Sequence, residues 1–427
     1  MVSSRVLVAI LIIMSTSCHS HAWVLMPGRA RNSLQPTAWR LSMTSSSDSL
    51  SRRALVQSSL GVAATGLLGS STLGGGHVRR ASAATLSASS EFSLPDDAYT
   101  LLGGDMKSCK ILNGMWQLSG GHGYRPQVGP AVSDMRKSFE TGFNTFDTAD
   151  IYGGAEDVVG NYKRAYGSKD DQGLFYTKWV PRPERISRAA TKEAIGRSMK
   201  RMDTTQLDLL QFHWWEYGYP YYMDALQYLQ EIQQDGGIRH LALTNFDTKH
   251  MNEIYDSGIK IVSNQVQYSL LDQRPNVLMA PAMLERNMQI LAYGTLLGGF
   301  FSDNWKGKDD PKGFETVSQQ KYYNMIRAWG DWALFQQLLL AMEKVGKKHE
   351  VSISNVAVRW VLEQPAVGGA IVGCRFGLKG KEHAEDNKRV FSFKLDEEDK
   401  MALQAVTSKA RDLMKVIGDC GAEYRRA

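Results

Sequence analysis

The fold class the sequence predicts is α/β, specifically a (β/α)8 TIM barrel, and three observations predict it. Short β-branched or aromatic runs alternate with amphipathic stretches along most of the chain. Nearly every run ends, on its carboxyl side, in a polar or ionisable residue. No G-x-G-x-x-G string, the usual sign of a doubly wound dinucleotide-binding sheet, occurs anywhere.

Taken in order, eight runs read as strands: 143–147, 174–178, 207–212, 238–243, 261–266, 289–293, 370–372 and 390–393. The stretches between them read as helices. "SRAATKEAIGRSMKRM" sets Ala190, Ala194, Ile195 and Met199 on one stripe, and "WALFQQLLLAMEKVGKKH" does the same with Leu334, Leu338 and Met342. Ahead of the first run, "SCKILNGMWQL" (108–118) is expected to form an N-terminal β-hairpin closing the barrel's bottom, although its glycine also permits a plain loop. After the sixth run comes a long loop, 298–332; connections of that length in compact domains are commonly lids.

The ends of the chain differ in composition. Residues 1–83 hold 17 Ser, eight Arg, no Lys and a single acid, Asp48, which specifies no packed core. The whole chain carries +6, but residues 84–427 carry −1, so the positive excess lies in the leader and a nucleic-acid role loses its main support. Three domains follow: a multipartite presequence (1–83), an N-terminal extension (84–107) and the barrel (108–427). Within the presequence, Arg5 precedes nine apolar residues, Val6 to Met14, and "SHA" (20–22) resembles a signal-peptide cleavage site. The Arg- and Ser-containing stretch that begins at Trp23 resembles a transit segment, in the order found in complex-plastid presequences. Arg52 and Arg53, an apolar stretch and "ASA" (81–83) resemble a twin-arginine signal for the thylakoid lumen. A Ser- and Arg-rich linker with a chance arginine pair is the alternative. The expectation is a plastid protein, in the thylakoid lumen rather than the stroma, with no stable membrane span once mature, since nine apolar residues cannot cross a bilayer.

Cysteine contributes little: Cys109, Cys374 and Cys420 have no C-x-x-C spacing, so neither zinc nor a disulfide framework is indicated, and no metal is expected. The polar strand ends are more informative. Asp147, Lys178, His213, Asn245, Gln265, Tyr293 and Arg375 each follow an apolar run, and in a barrel the carboxyl ends converge on the face that holds active sites.

The blocks "GFNTFDTADIYGGAEDVVG", "FYTKW", "LDLLQFHWW", "GIRHLALTNFD", "SNQVQYSLL" and "GCR…EHAEDN" resemble the aldo-keto reductase family over roughly Lys110 to Val416. The resemblance implies a catalytic set of Asp147, Tyr152, Lys178 and His213. It implies cofactor contacts from Thr244, Asn245 and Gln265, stacking of Tyr293 on the nicotinamide, and Arg375 and Asn387 at the adenosine end. Trp116, Trp214 and Trp215 are expected as pocket walls. Carbonyl reduction needs a proton donor, and a phenol of pKa ~10 is a poor one until its surroundings tune it. Lys178 is expected to lower the Tyr152 pKa, Asp147 to hold Lys178 charged, and His213 to orient the carbonyl. Arg375 suits a 2′-phosphate, hence NADPH over NADH. "LALTN" departs from the family's usual Gly-Val-Ser-Asn, and "FGLKGK", with Lys379 and Lys381, reads as an insertion before Asn387.

The leading reading is NADPH-dependent reduction of a small aldehyde, ketone or quinone. A cofactor-binding redox sensor or accessory protein with slow turnover is the alternative. A barrel hydrolase or lyase would need a metal or paired carboxylates that the strand ends do not supply. Oligomeric state is open.

Overall fold

The computed structural model describes residues 94–120, 122, 127–167, 173–378 and 383–425. The presequence motifs, Lys379 and Lys381 lie outside the described residues. The first two strands, β1 (Tyr99–Leu102) and β2 (Met106–Cys109), form an antiparallel hairpin with Leu102 opposite Met106. Gly103 and Gly104 turn it at φ +66 and +88, values a side chain would strain. The hairpin is therefore present, but it spans Tyr99–Cys109 and shares only Ser108 and Cys109 with the expected 108–118. Its Leu102 and Met106 are buried against Leu112, Leu174, Tyr176, Leu209, Ala242 and Leu291, which fill the barrel from one end.

Eight parallel strands follow: β3 (Ile111–Gly114), β4 (Thr145–Asp147), β5 (Leu174–Trp179), β6 (Leu207–His213), β7 (Ile238–Thr244), β8 (Ile261–Gln267), β9 (Gln289–Tyr293) and β10 (Val367–Gly373). They close into a ring in chain order, with β10 pairing β3. Two expectations change. Ile111–Gly114, buried at all four positions, is the first barrel strand. Residues 390–393 are not the last: Arg389–Phe391 form a 3₁₀ turn, because a ring closed between β10 and β3 has no free edge for another strand.

Residues two apart share a face, so alternate side chains of each strand fill the barrel while the others meet the helices. In β6, Leu209 points into the barrel and Leu210 and Phe212 into the outer core. Phe146 of β4 stacks on Phe175 of β5 at 5.4 Å in that outer layer, and truncating such a ring to Ala typically costs ~3–5 kcal/mol. Side-chain caps start the helices cleanly: Ser187, Asp247, Thr316, Asp331 and Ser352 each accept a backbone N–H of the turn they open. On the Arg188–Arg201 helix the buried residues are Thr191, Ala194, Ile195 and Ser198: Ala194 and Ile195 are as expected, Met199 is only partly buried and Ala190 is exposed.

The segment after β9 is not an open loop. It contains the helix Val317–Trp329 and an aromatic cluster in which Phe300 lies 4.6 Å from Trp305 and 6.0 Å from Trp332. The helix brings Ser318, Lys321 and Tyr322 to the mouth of the barrel.

Candidate active site

Register sets the site. Asp147 stands beside Tyr176, Lys178 beside Gln211, His213 beside Thr244, Thr244 beside Gln265, and Gln267 beside Tyr293. These are the carboxyl ends of neighbouring strands, so their polar residues collect at one mouth. There Asp147, Lys178, His213, Thr244, Gln265 and Tyr293 line a cavity of about 560 Å³ together with Tyr152, Asn245, Trp116, Arg375 and Asn387.

At its floor, Lys178 Nζ lies 2.5 Å from Asp147 Oδ2, with both side chains 3% exposed, and it also donates to the Thr148 carbonyl at 2.9 Å. Asp147 Oδ1 accepts from Gln211 at 2.7 Å and from Gln265 at 2.9 Å, and Gln265 donates its other amide hydrogen to Gln211 Oε1 at 2.6 Å. A buried carboxylate so fully paired meets the condition for tolerating its desolvation. Glu156, the other acid of the first block, does structural work: it accepts from Thr177 at 2.6 Å and pairs with Arg201 at 3.1 Å, fixing the turn that carries Tyr152.

The Lys178 ammonium sits 5.0 Å from the centroid of the Tyr152 ring. The Tyr152 pKa is nevertheless raised well above its ordinary value, first by burial and then by Asp147. This overturns the expected lowering. The ammonium is matched by a carboxylate 2.5 Å away, so little of its field is left to oppose the desolvation of a phenolate. Burial also lowers the Lys178 pKa against the pull of Asp147. It takes His213 down to about 3, aided by Arg425 and Lys178, so the imidazole is neutral. His213 Nε2 faces Asn245 Nδ2 at 3.4 Å.

Asn245 adopts a left-handed conformation, φ +57, which asparagine tolerates, and its Oδ1 accepts from Tyr293 at 2.9 Å. Arg375 and Asn387 are brought to the same cavity despite the eleven residues between them. Trp116 lines it too, edge-on to His122 at 4.7 Å, and Trp215 lies edge-on to His213 at 5.5 Å. Trp214 does not belong there. It is wholly buried in the outer core, donating to the Glu216 and Tyr219 carbonyls at 2.8 and 3.1 Å, because position 214 has the outward parity of Leu210 and Phe212.

Sequence reasoning missed two groups. Gln211 shares the inward parity of His213, so period-two alternation could have found it. The second group is the C-terminal segment. Arg274, pinned to Asp272 at 2.8 Å, donates to the Gly418 and Asp419 carbonyls and pairs with Glu423 at 3.0 Å, and Arg425 donates to Tyr217 and to the Asn245 carbonyl. These bonds seat Tyr424 in the cavity, 3.1 Å from the Tyr293 hydroxyl. No local pattern in the sequence marks it.

A cavity of this volume whose wall carries unspent hydrogen-bonding capacity suits a nicotinamide dinucleotide. Buried and without a hydrogen-bond partner, Thr244 Oγ1, Thr295 Oγ1, Gln117 Oε1 and His122 Nδ1 all belong to residues of its wall. Among the described residues no cluster of His, Cys, Asp or Glu could hold a metal ion, and no helix is long and apolar enough to cross a membrane.

Comparison with known proteins places these features in a family. The model of the aldo/keto reductase family matches residues 110–408. The chain is 26% identical to the aldo-keto reductase YhdN of Bacillus subtilis over 288 residues, 63% of this chain and 82% of the relative. It is 25% identical to the chloroplastic pyridoxal reductase of Arabidopsis thaliana over 284 residues, 62% and 73% of the two chains. The solved glycerol dehydrogenase AKR11B4 from Gluconobacter oxydans shares the fold, with a TM-score of 0.61 at 24% identity over 76% of this chain and 98% of that one. So does a Klebsiella pneumoniae aldo/keto reductase in complex with NADP and acetate, with a TM-score of 0.56 at 20% identity over 73% and 95%. The chain belongs to the aldo/keto reductase family and is an NAD(P)H-dependent oxidoreductase built on a closed (β/α)8 barrel.

Proposed function

We propose that the protein reduces the carbonyl of a small aldehyde, ketone or quinone with NADPH, using Tyr152 as the proton donor. One observation carries the reading: a protonated phenol and a neutral imidazole face one cavity above a buried Lys178–Asp147 pair. Thr244, Asn245 and Gln265 would hold the nicotinamide end beside Tyr293, and Arg375 and Asn387 the adenosine end. NADPH, when bound, supplies the hydride.

The chain's own residues do the rest. Tyr152 keeps its proton through neutral pH and delivers it to the carbonyl oxygen as negative charge develops there. His213 orients that oxygen through a ring nitrogen, and Asn245 helps fix which nitrogen carries the hydrogen. Lys178 lies beside the Tyr152 ring and supports it from the floor of the cavity, while Asp147, clamped by Gln211 and Gln265, keeps Lys178 in place. Turnover of a carbonyl panel by the purified protein with NADPH tests this. Tight NADPH binding without turnover of any member would favour an accessory or sensing role instead.

We also infer from the leader that the protein works in a plastid, in the thylakoid lumen rather than the stroma. Sequencing the N-terminus of the mature protein from fractionated plastids tests it. A start near Ala84 inside thylakoids supports the lumen, and a stromal protein starting before Arg52 refutes it.

A further inference from the structure

Besides Lys178, the cavity has a second ammonium that the mechanism does not use. Lys321, on the helix Val317–Trp329, is 9% exposed and lines the cavity. Its Nζ donates to the Tyr424 hydroxyl and lies 4.8 Å from the Tyr293 ring centroid, 5.0 Å from that of Tyr322 and 4.7 Å from that of Tyr424. Among the described residues it forms no ion pair with a carboxylate. Glu423 of the tail acts on it only through space, without direct contact: its carboxylate is bonded to Arg274 at 3.0 Å and lies 3.3 Å from the Tyr293 hydroxyl. Aromatic faces and one hydroxyl stabilise a buried ammonium only partly, and a buried cation is normally paired with an anion.

Tyr424 has a matching character. Its ring stands edge-on to His213 at 6.2 Å, and its hydroxyl is within reach of Tyr293 at 3.1 Å. Lys321 and Tyr424 thus present an ammonium and a hydroxyl side by side on the wall nearest His213, which orients the carbonyl in the proposed mechanism. A carboxylate has two acceptor oxygens, one for each donor.

We propose that Lys321 and Tyr424 form an anion-recognising wall of this cavity, so that the preferred substrates are carbonyl compounds bearing a carboxylate. The assignment rests on the reductase reading given above. A cofactor phosphate could also answer an ammonium, and the experiment separates the two sources.

The full chain is assayed with NADPH on 4-carboxybenzaldehyde and on its methyl ester, which differ in charge but share the same aldehyde. Wild type is expected to favour the acid at least tenfold in kcat/KM, and Lys321→Met to lower the acid-to-ester ratio ~10- to 100-fold, the usual worth of a hydrogen bond to a charged group. Tyr424→Phe lowers it less, and Lys321→Arg keeps most of it. Equal use of acid and ester by wild type overturns the proposal. So does a Lys321→Met variant whose NADPH Kd rises tenfold or more while the ratio stays fixed, since Lys321 would then serve the cofactor. Calorimetric binding of benzoate to NADP-loaded protein covers the remaining case. If neither aldehyde is reduced, Lys321-dependent benzoate binding upholds the anion site and its absence overturns it, while the carbonyl panel decides the reductase reading separately.

Discussion

Lys178 and Asp147 meet at 2.5 Å inside the barrel, and this contact uses up the charge that would otherwise make Tyr152 more acidic. The pair therefore positions more than it tunes. Tyr152, partly buried against the core, stays protonated because its surroundings desolvate a phenolate, and the ammonium 5.0 Å from its ring centroid helps hold the ring in place.

Tyr152→Phe removes the proton donor while leaving the ring in place. The expected result is a fall in kcat of ~10²- to 10⁴-fold with NADPH affinity nearly unchanged, measured by steady-state kinetics and fluorescence titration. Near-native turnover would show that the proton comes from elsewhere.

Asp147→Asn leaves Lys178 buried beside a neutral amide. Removing one member of a buried pair typically costs ~3–5 kcal/mol, so the urea midpoint should drop markedly and turnover with it. An unchanged midpoint would mean that Lys178 had already lost its charge in the native protein.

Arg375→Ala should narrow the preference for NADPH over NADH, because a guanidinium suits the 2′-phosphate that only NADPH carries. Comparison of the two dissociation constants before and after the change decides it. A preference that survives intact assigns the phosphate to other residues.

Acid stability should follow His213. Its folded pKa of about 3 lies below the ordinary 6.5, so the unfolded chain binds the extra proton between those values. Stability is then full above pH 6.5 and is lost as pH falls toward 3, by about 1.4 kcal/mol per pH unit while the one-proton difference lasts. His122, at about 4, acts in the same direction. Asp150 acts in the opposite one: burial and Glu156 raise it to about 7 from 3.8, so its contribution is full below 3.8 and is lost as pH rises through 7. Asp150→Asn should therefore stabilise the protein at pH 8 and steepen its loss on acidification. Urea midpoints taken from pH 8 to 4 test both signs, and parallel curves for wild type and variant would refute the assignment.

Gly421→Ala should displace the tail. At φ +79 a Cβ would come within 2.1 Å of the Asn245 carbonyl oxygen, so the backbone must shift and carry Tyr424 with it. Turnover is expected to fall several-fold with only a small change in melting temperature, because the barrel does not depend on this contact. If turnover is unaffected, the tail is not part of the site.

Much of the site could be read locally. Thr145–Asp147, Leu174–Trp179 and Leu207–His213 are strands because β-branched and aromatic residues suit a pleated, buried ladder, and each strand end needs a residue that tolerates the mouth of the barrel. That was enough to collect Asp147, Lys178, His213, Gln265 and Tyr293 on one face. Period-two parity would also have placed Gln211 inside and Trp214 outside. Ile111–Gly114 was harder, since its Asn-Gly pair has the composition of a turn, and residues 390–393 have the composition of a strand. Which of these two joins the sheet depends on where the ring closes, and that is a relation between β3 and β10 more than 250 residues apart.

The sequence by itself determined the alternation of strands and helices and the chemistry at the strand ends, because both are set by side chains within a few residues of one another. Tertiary structure decided the rest. Ring closure selected the first strand, the contacts of Arg274 and Arg425 drew Tyr424 into the cavity, and the helix after β9 supplied Lys321. It also decided the acidity of Tyr152. A pKa depends on how much water and how much uncompensated charge surround a group, and both are known only when the whole chain has packed around it.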